Sequence, residues 1–149
     1  KHLRQHSLPD DAPEHMRLLY VLLDQLHHAE LVSSYLPHSE HPTLKSILDF
    51  LHLHPADNSS LQQLAVQHNM TERTLARYSQ KELGMSLNEW RKRLKVMKAM
   101  SMLTEGKKVE SIALDLGYAN ASAFINMFKR WMVYTPDQFR KLYHSHQQR

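Results

Sequence analysis

Arg73 and, three and four residues on, Ala76 and Arg77 stand in ERTLARYSQKEL, and of all the side chains in this 149-residue sequence they have the clearest chemistry. A guanidinium can give two hydrogen bonds to guanine O6 and N7, and an alanine methyl can meet the methyl of thymine. A second set, Ser122, Ala123 and Asn126, stands in ASAFINMFKRW. Asn126 suits adenine, whereas Ser122 and Ala123 are small and discriminate less, so the first set is expected to dominate base discrimination and the second to contribute more to positioning. Groups suited to phosphate oxygens surround both sets: Gln80, Lys81, Arg91, Arg93, Lys129 and Arg130, with the amide ends of helices begun at Thr71, Ser86, Asn120 and Thr135.

Other chemistries find less support. The chain has no cysteine, which removes disulfides, thiolate metal sites and cysteine nucleophiles together. Twelve histidines invite a metal reading, but His27 and His28 are adjacent and His52 and His54 two apart, so on a helix each pair points to different faces. No HExxH, phosphate-cradling glycine loop or G-x-S-x-G occurs. No catalytic residue, metal site or cofactor is expected, and the eight methionines read as core filler. No stretch approaches a membrane span, so a soluble, cytoplasmic protein is expected.

Charge divides by region. Residues 1–60 hold four Lys or Arg against eight Asp or Glu, and residues 61–149 hold fifteen against seven, so a net −4 precedes a net +8. A basic part joined to an acidic one suggests a polyanion-binding module attached to something with another job. With 42% hydrophobic content and three glycines, small helical units are expected rather than a sheet.

The elements that must position these residues are legible from caps and periods. Residues 1–9 read as a tail. A helix opens at Pro13, with Met16, Leu19, Leu22, Leu23, Leu26 and Leu31 as its stripe. Leu18 to Leu23 run apolar without a break, which calls for cover on more than one side, from a partner chain, a further domain or the rest of this chain. SYLPHSEHP, residues 34–42, reads as a linker and a domain boundary. Thr43 is expected to cap a helix through Leu44, Ile47, Leu48 and Leu51 that ends before Pro55. Ser60 and Gln63 form a capping box, Thr71 caps a second helix and Gly84 stops it, which outlines a helix-turn-helix over residues 60–84.

A long helix follows at residues 86–105. Ser86 and Glu89 form its capping box, Gly106 its stop, and Trp90, Leu94, Met97, Met100 and Leu103 an apolar stripe on one face, with five cations in its first half. Then the pattern returns. Leu64-Ala65 matches Ile112-Ala113 at an offset of 48, and Thr71 with Asn120, Leu75 with Phe124, Ser86 with Thr135 and Trp90 with Phe139 match at 49, so one residue is added in the second turn. The second helix-turn-helix spans residues 109–132, and a last helix, 136–146, opens on the box Thr135–Gln138. A helix of about twenty residues is roughly 30 Å long, close to the roughly 34 Å between successive major grooves on one face of B-DNA. The long helix is therefore read as a ruler that lets one chain place two recognition helices in adjacent grooves.

Residues 60–143, with LAVQHNMTERTLARYSQKELGMSLNEW and ALDLGYANASAF ahead of TPDQFR, resemble the AraC/XylS family of bacterial transcription regulators. The resemblance implies an all-α fold of two helix-turn-helix subdomains joined by a long linker helix and preceded by an N-terminal helix left from a sensor or dimerisation domain. It divides the chain into residues 1–42, tail, dimerisation-type helix and linker, and residues 43–149, the DNA-binding part. It implies promoter DNA and RNA polymerase as partners, action as activator or repressor, a homodimer through residues 13–36, and base reading by Arg73, Ala76, Arg77, Ser122, Ala123 and Asn126. Family members usually have Phe where Ser79 stands and Arg where Lys95 stands. The alternative is a helical module that contacts RNA polymerase or another regulator through its basic strut.

Overall fold

The computed structural model describes residues 35–147, with side chains to residue 145. The N-terminal helix expected from Pro13 lies outside the described residues. Among those described there are seven helices and no strand: α1 (Pro42–Leu53), α2 (Leu61–Gln67), α3 (Glu72–Leu83), α4 (Leu87–Thr104), α5 (Val109–Asp115), α6 (Ala121–Met132) and α7 (Pro136–Gln147). Two helix-turn-helix units, α2–α3 and α5–α6, share the long helix α4.

The caps set the boundaries. Ser60 Oγ accepts from Gln63 N at 3.1 Å while Gln63 Oε1 accepts from Ser60 N at 2.8 Å, and Thr135 and Gln138 repeat the box at 3.2 and 2.9 Å. Thr71 and Asn120 cap α3 and α6 through Thr74 N at 3.1 Å and Ala123 N at 2.8 Å. Ser86 makes only half of its expected box. Its hydroxyl accepts from Glu89 N, but the Glu89 carboxylate turns to Arg93 at 3.2 Å. Thr43 does not cap α1, which starts two residues earlier than that cap would set, because Pro42 takes the first helical position behind His41.

The internal repeat is a repeat in space. Met70 N donates to Ala65 O at 3.0 Å and Tyr118 N to Ala113 O at 2.9 Å, closing the same turn 48 residues apart. Asn69 and Gly117 hold the matching left-handed position, with φ of 57° and 83°. Ala119 is thus the added residue. At the ends of α3 and α6, Gly84, φ 73°, is answered by Val133, φ 70°.

Each unit has its own core, and α4 is the wall between them. Leu87, Trp90 and Leu94 belong to the first, with Leu48, Leu64 and Leu75. Val96, Ala99 and Leu103 belong to the second, with Ile112, Phe124 and Phe128. At roughly 100° per residue these two sets lie on nearly opposite sides of α4. The single apolar stripe expected on the helix is therefore two, one at each end, with Met97 touching both cores. The N-terminal half of α4 closes the first unit and its C-terminal half opens the second, as α1 opens the first.

Residues 35–41, within the segment read as a linker, are strapped to both cores. Tyr35 is buried in the second and Leu36 in the first. Trp90 Nε1 donates to Pro37 O at 2.7 Å, and Ser39 Oγ donates to Glu82 at 3.2 Å.

Candidate nucleic-acid interface

On α3, Leu75, Ser79 and Leu83 are buried, which turns Arg73, Ala76, Arg77 and Gln80 to solvent within one narrow face. Arg77 lies beside the Tyr78 ring, 5.7 Å from its centroid, and Tyr78 in turn meets His41 at 4.6 Å between ring centres. On α6, Phe124, Phe128 and Met132 point inward, so Ser122, Ala123 and Asn126 are exposed and Lys129 and Arg130 continue the same face toward the C-terminal end. Every residue expected from the sequence to read bases is therefore on the exposed face of α3 or α6.

Ser79 stands where the second unit has Phe128. It is fully buried, and its hydroxyl donates to Leu75 O at 2.8 Å, which satisfies it within its own helix.

The cations of α3, α6 and the first part of α4 differ in setting. Arg73, Lys81, Lys92, Lys129 and Arg130 are exposed and make no ion pair or hydrogen bond among the described residues. Arg91 and Arg93 are turned inward. Arg91 donates to Ser59 O at 2.6 Å and Asp57 O at 2.8 Å, with the Asp57 carboxylate 3.7 Å away. Arg93 donates to Tyr35 O at 2.9 Å, pairs with Glu89 and lies 5.0 Å over the Tyr35 ring. Burial pushes the Tyr35 hydroxyl up to about 12, with Arg93 working against it. Burial would also raise the Asp57 carboxyl, but its hydrogen bonds from Ser59 and the nearby Arg91 hold it below the ordinary value. The side chains of Thr71, Ser86, Asn120 and Thr135 are occupied as caps.

The repeat explains Arg91. Trp90-Arg91 matches Phe139-Arg140, and Arg140 donates to Lys107 O as Arg91 donates to Ser59 O. In each half an arginine behind the core aromatic pins the backbone that enters the first helix of the unit. The pairing was readable from the aligned halves, where Arg91 counts as a repeated residue rather than one of a run of cations.

Between the units lies an open cleft of about 500 Å³, whose lining includes Ser60, Leu61, Glu72, Lys92, Lys95 and Tyr118. Lys95 donates to Asn58 at 3.1 Å and sits 4.9 Å from the centre of the Tyr118 ring. Burial, then the Arg91 charge, lowers its pKa, with Asp57 opposing. Lys92 was not singled out by sequence, since nothing in the pattern separates it from its neighbours. Among the described residues no cluster of His, Asp and Glu could hold a metal ion, and no helix is long and apolar enough to cross a membrane.

Residues 64–142 match the family model of a helix-turn-helix domain. The chain is 35% identical over 127 residues to the HTH-type transcriptional regulator NimR of Escherichia coli K12, covering 85% of this chain and 46% of that protein. It is 28% identical over 99 residues to the transcriptional activator RhaS of Escherichia coli O157:H7, covering 66% of this chain and 36% of that one. The chain thus spans less than half the length of these relatives. Among solved structures, the C-terminal domain of AraT, a response regulator from Geobacillus stearothermophilus, superposes with a TM-score of 0.64 at 24% identity, over 68% of this chain and 85% of that one. The DNA-binding domain of AdpA, solved with a target DNA, gives 0.62 at 22% identity, over 68% and 92%. These two likenesses bear on the fold.

Proposed function

The chain belongs to the AraC-type helix-turn-helix family of transcriptional regulators, and from that premise we propose that it binds promoter DNA in a sequence-specific way by setting α3 and α6 into two adjacent major grooves. The observation that carries the reading is the pair of outward faces, Arg73, Ala76, Arg77 on α3 and Ser122, Ala123, Asn126 on α6, each on a helix whose other side is anchored in its own core. The cores lie toward opposite ends of α4, whose eighteen residues span roughly 27 Å. Arg73 and Arg77 take guanine edges, Ala76 a thymine methyl and Asn126 an adenine. Gln80, Lys81, Lys129 and Arg130, with Lys92 at the cleft, take phosphates, joined by the amide ends of α3 and α6. Arg91 and Arg93 hold the protein's own carbonyls in this reading, and the cap side chains of Thr71, Ser86, Asn120 and Thr135 serve the helices that they open.

The division of the chain into residues 1–42 and 43–149, contact with RNA polymerase, pairing of two copies through residues 13–36 and action in the cytoplasm belong to the same proposal. Residues 13–34 lie outside the described residues. The test is equilibrium binding to DNA fragments with competitor across a salt series. Selective retention with a steep fall of affinity as salt rises supports the reading, and uniform weak binding to all duplexes overturns it.

A further inference from the structure

We propose that the loop entering α2 clasps the turn between α5 and α6 and so sets which half-site spacings the protein accepts, with Asn58 as the positioning residue; the inference rests on the two-groove reading above. Asn58 bridges the two units. Its Nδ2 donates to Gly117 O at 2.8 Å, and its Oδ1 accepts from Lys95 Nζ, which also lies over Tyr118. The backbones are close enough that a Cβ on Gly117 would stand 2.5 Å from Ala56 O, and φ of 83° disfavours a side chain there as well. The loop is itself pinned by hydrogen bonds. Ser59 N donates to Asp57 Oδ1 at 2.9 Å, and Arg91 holds both Asp57 O and Ser59 O onto α4.

The repeat separates what the fold needs from what the pairing of units needs. The Arg91–Ser59 contact recurs as Arg140–Lys107. The Asn58 contact does not recur, because the position 48 residues on is Gly106, which has no side chain to reach a neighbour. One half therefore carries a latch alone, and the half that faces another unit carries a latch and a clasp. The length of α4 sets the distance between recognition helices, but their relative rotation depends on how the second unit is seated, and the clasp holds that seat. A half-site moved by one base pair is displaced by about 3.4 Å and rotated by about 35°, a mismatch that a rigid pair rejects and a loosened pair tolerates.

The test compares the full chain with Asn58→Asp, which keeps the acceptor for Lys95 but cannot donate to Gly117 O, and with Lys95→Met. Duplexes chosen by the wild type from a random pool are rebuilt with half-sites at the selected spacing, one base pair wider and one narrower, and with the first half-site alone. The ratio of affinities between selected and altered spacing is expected to fall about fivefold in each variant, the worth of one hydrogen bond, with binding of the single half-site unchanged. An unchanged ratio in both variants overturns the clasp, whatever their melting temperatures. If the wild type selects no sequence, the two-groove reading falls. The clasp is then judged in the free protein by the distance distribution between spin labels on Gln67→Cys and Glu110→Cys, which the absence of native cysteine makes unique. Broadening in Asn58→Asp supports it, and an unchanged width overturns it.

Discussion

Four side chains show how local setting decides the use of a charge. Arg77 is exposed on the outer face of α3, so Arg77→Ala should relax base preference at one position and cost about 1–3 kcal/mol there. Binding to a panel of single-base operator variants checks this, and equal weakening on all of them would make Arg77 a phosphate contact. Arg91 is half-buried and donates to two carbonyls. Its replacement by Ala should cost about 1–3 kcal/mol of fold stability by leaving those oxygens without donors, with the slope of log affinity against log salt unchanged. Lys129→Ala should do the reverse, lowering that slope by about one with little change in melting temperature. His52 packs edge-on to Trp90 at 5.3 Å, and burial, followed by Lys98, lowers its pKa below 6.5 against a smaller pull from Asp49. The unfolded chain then binds the proton more tightly, so this contribution is present above pH 6.5 and is lost as pH falls below it. Thermal melts between pH 5 and 8 should show that decline, and His52→Gln should flatten it.

At the level of elements, the boundary of α6 carries strain that α3 does not. Val133 sits at φ 70°, where Gly84 ends the equivalent helix at 73°, and a β-branched residue is poorly suited to that region. Val133→Gly should raise stability by about 1 kcal/mol in denaturant melts, whereas Gly84→Val should lower it. The caps made most helix limits legible, because a hydroxyl or amide with a partner three residues on is a local signal. Thr43 misled because Pro42 beside it is an equally good start. The long helix misled more instructively. Trp90, Leu94, Met97, Met100 and Leu103 satisfy a helical spacing, yet that spacing drifts around the axis from one core to the other. A periodicity count sees one stripe where two units share one wall.

For the whole molecule, the fold and the outward faces could be read because the chain says them twice, 48 or 49 residues apart. Apart from Arg91, which its match to Arg140 sets aside, a one-dimensional reading could not separate which cations are free. Arg91, Lys92 and Arg93 are adjacent in sequence, but the first holds a loop, the second faces a cleft and the third lies over Tyr35. That sorting depends on the entry of residues 35–41 and 56–59 against α4, contacts made across tens of residues. The acidic first part and basic second part follow the same division, since the exposed cations without a partner among the described residues, Arg73, Lys81, Lys92, Lys129 and Arg130 among them, belong to the two units and their strut.

In the reading proposed, one chain reads two grooves at a spacing set by α4. Selection of bound duplexes from a random DNA pool by the purified chain measures this directly. Two unlike half-motifs are expected on one face of the duplex with centres about one helical turn, roughly 10 base pairs, apart, one guanine position of the first becoming degenerate in Arg77→Ala. A single half-motif, or two identical ones at a separation unrelated to the helical repeat, would contradict it.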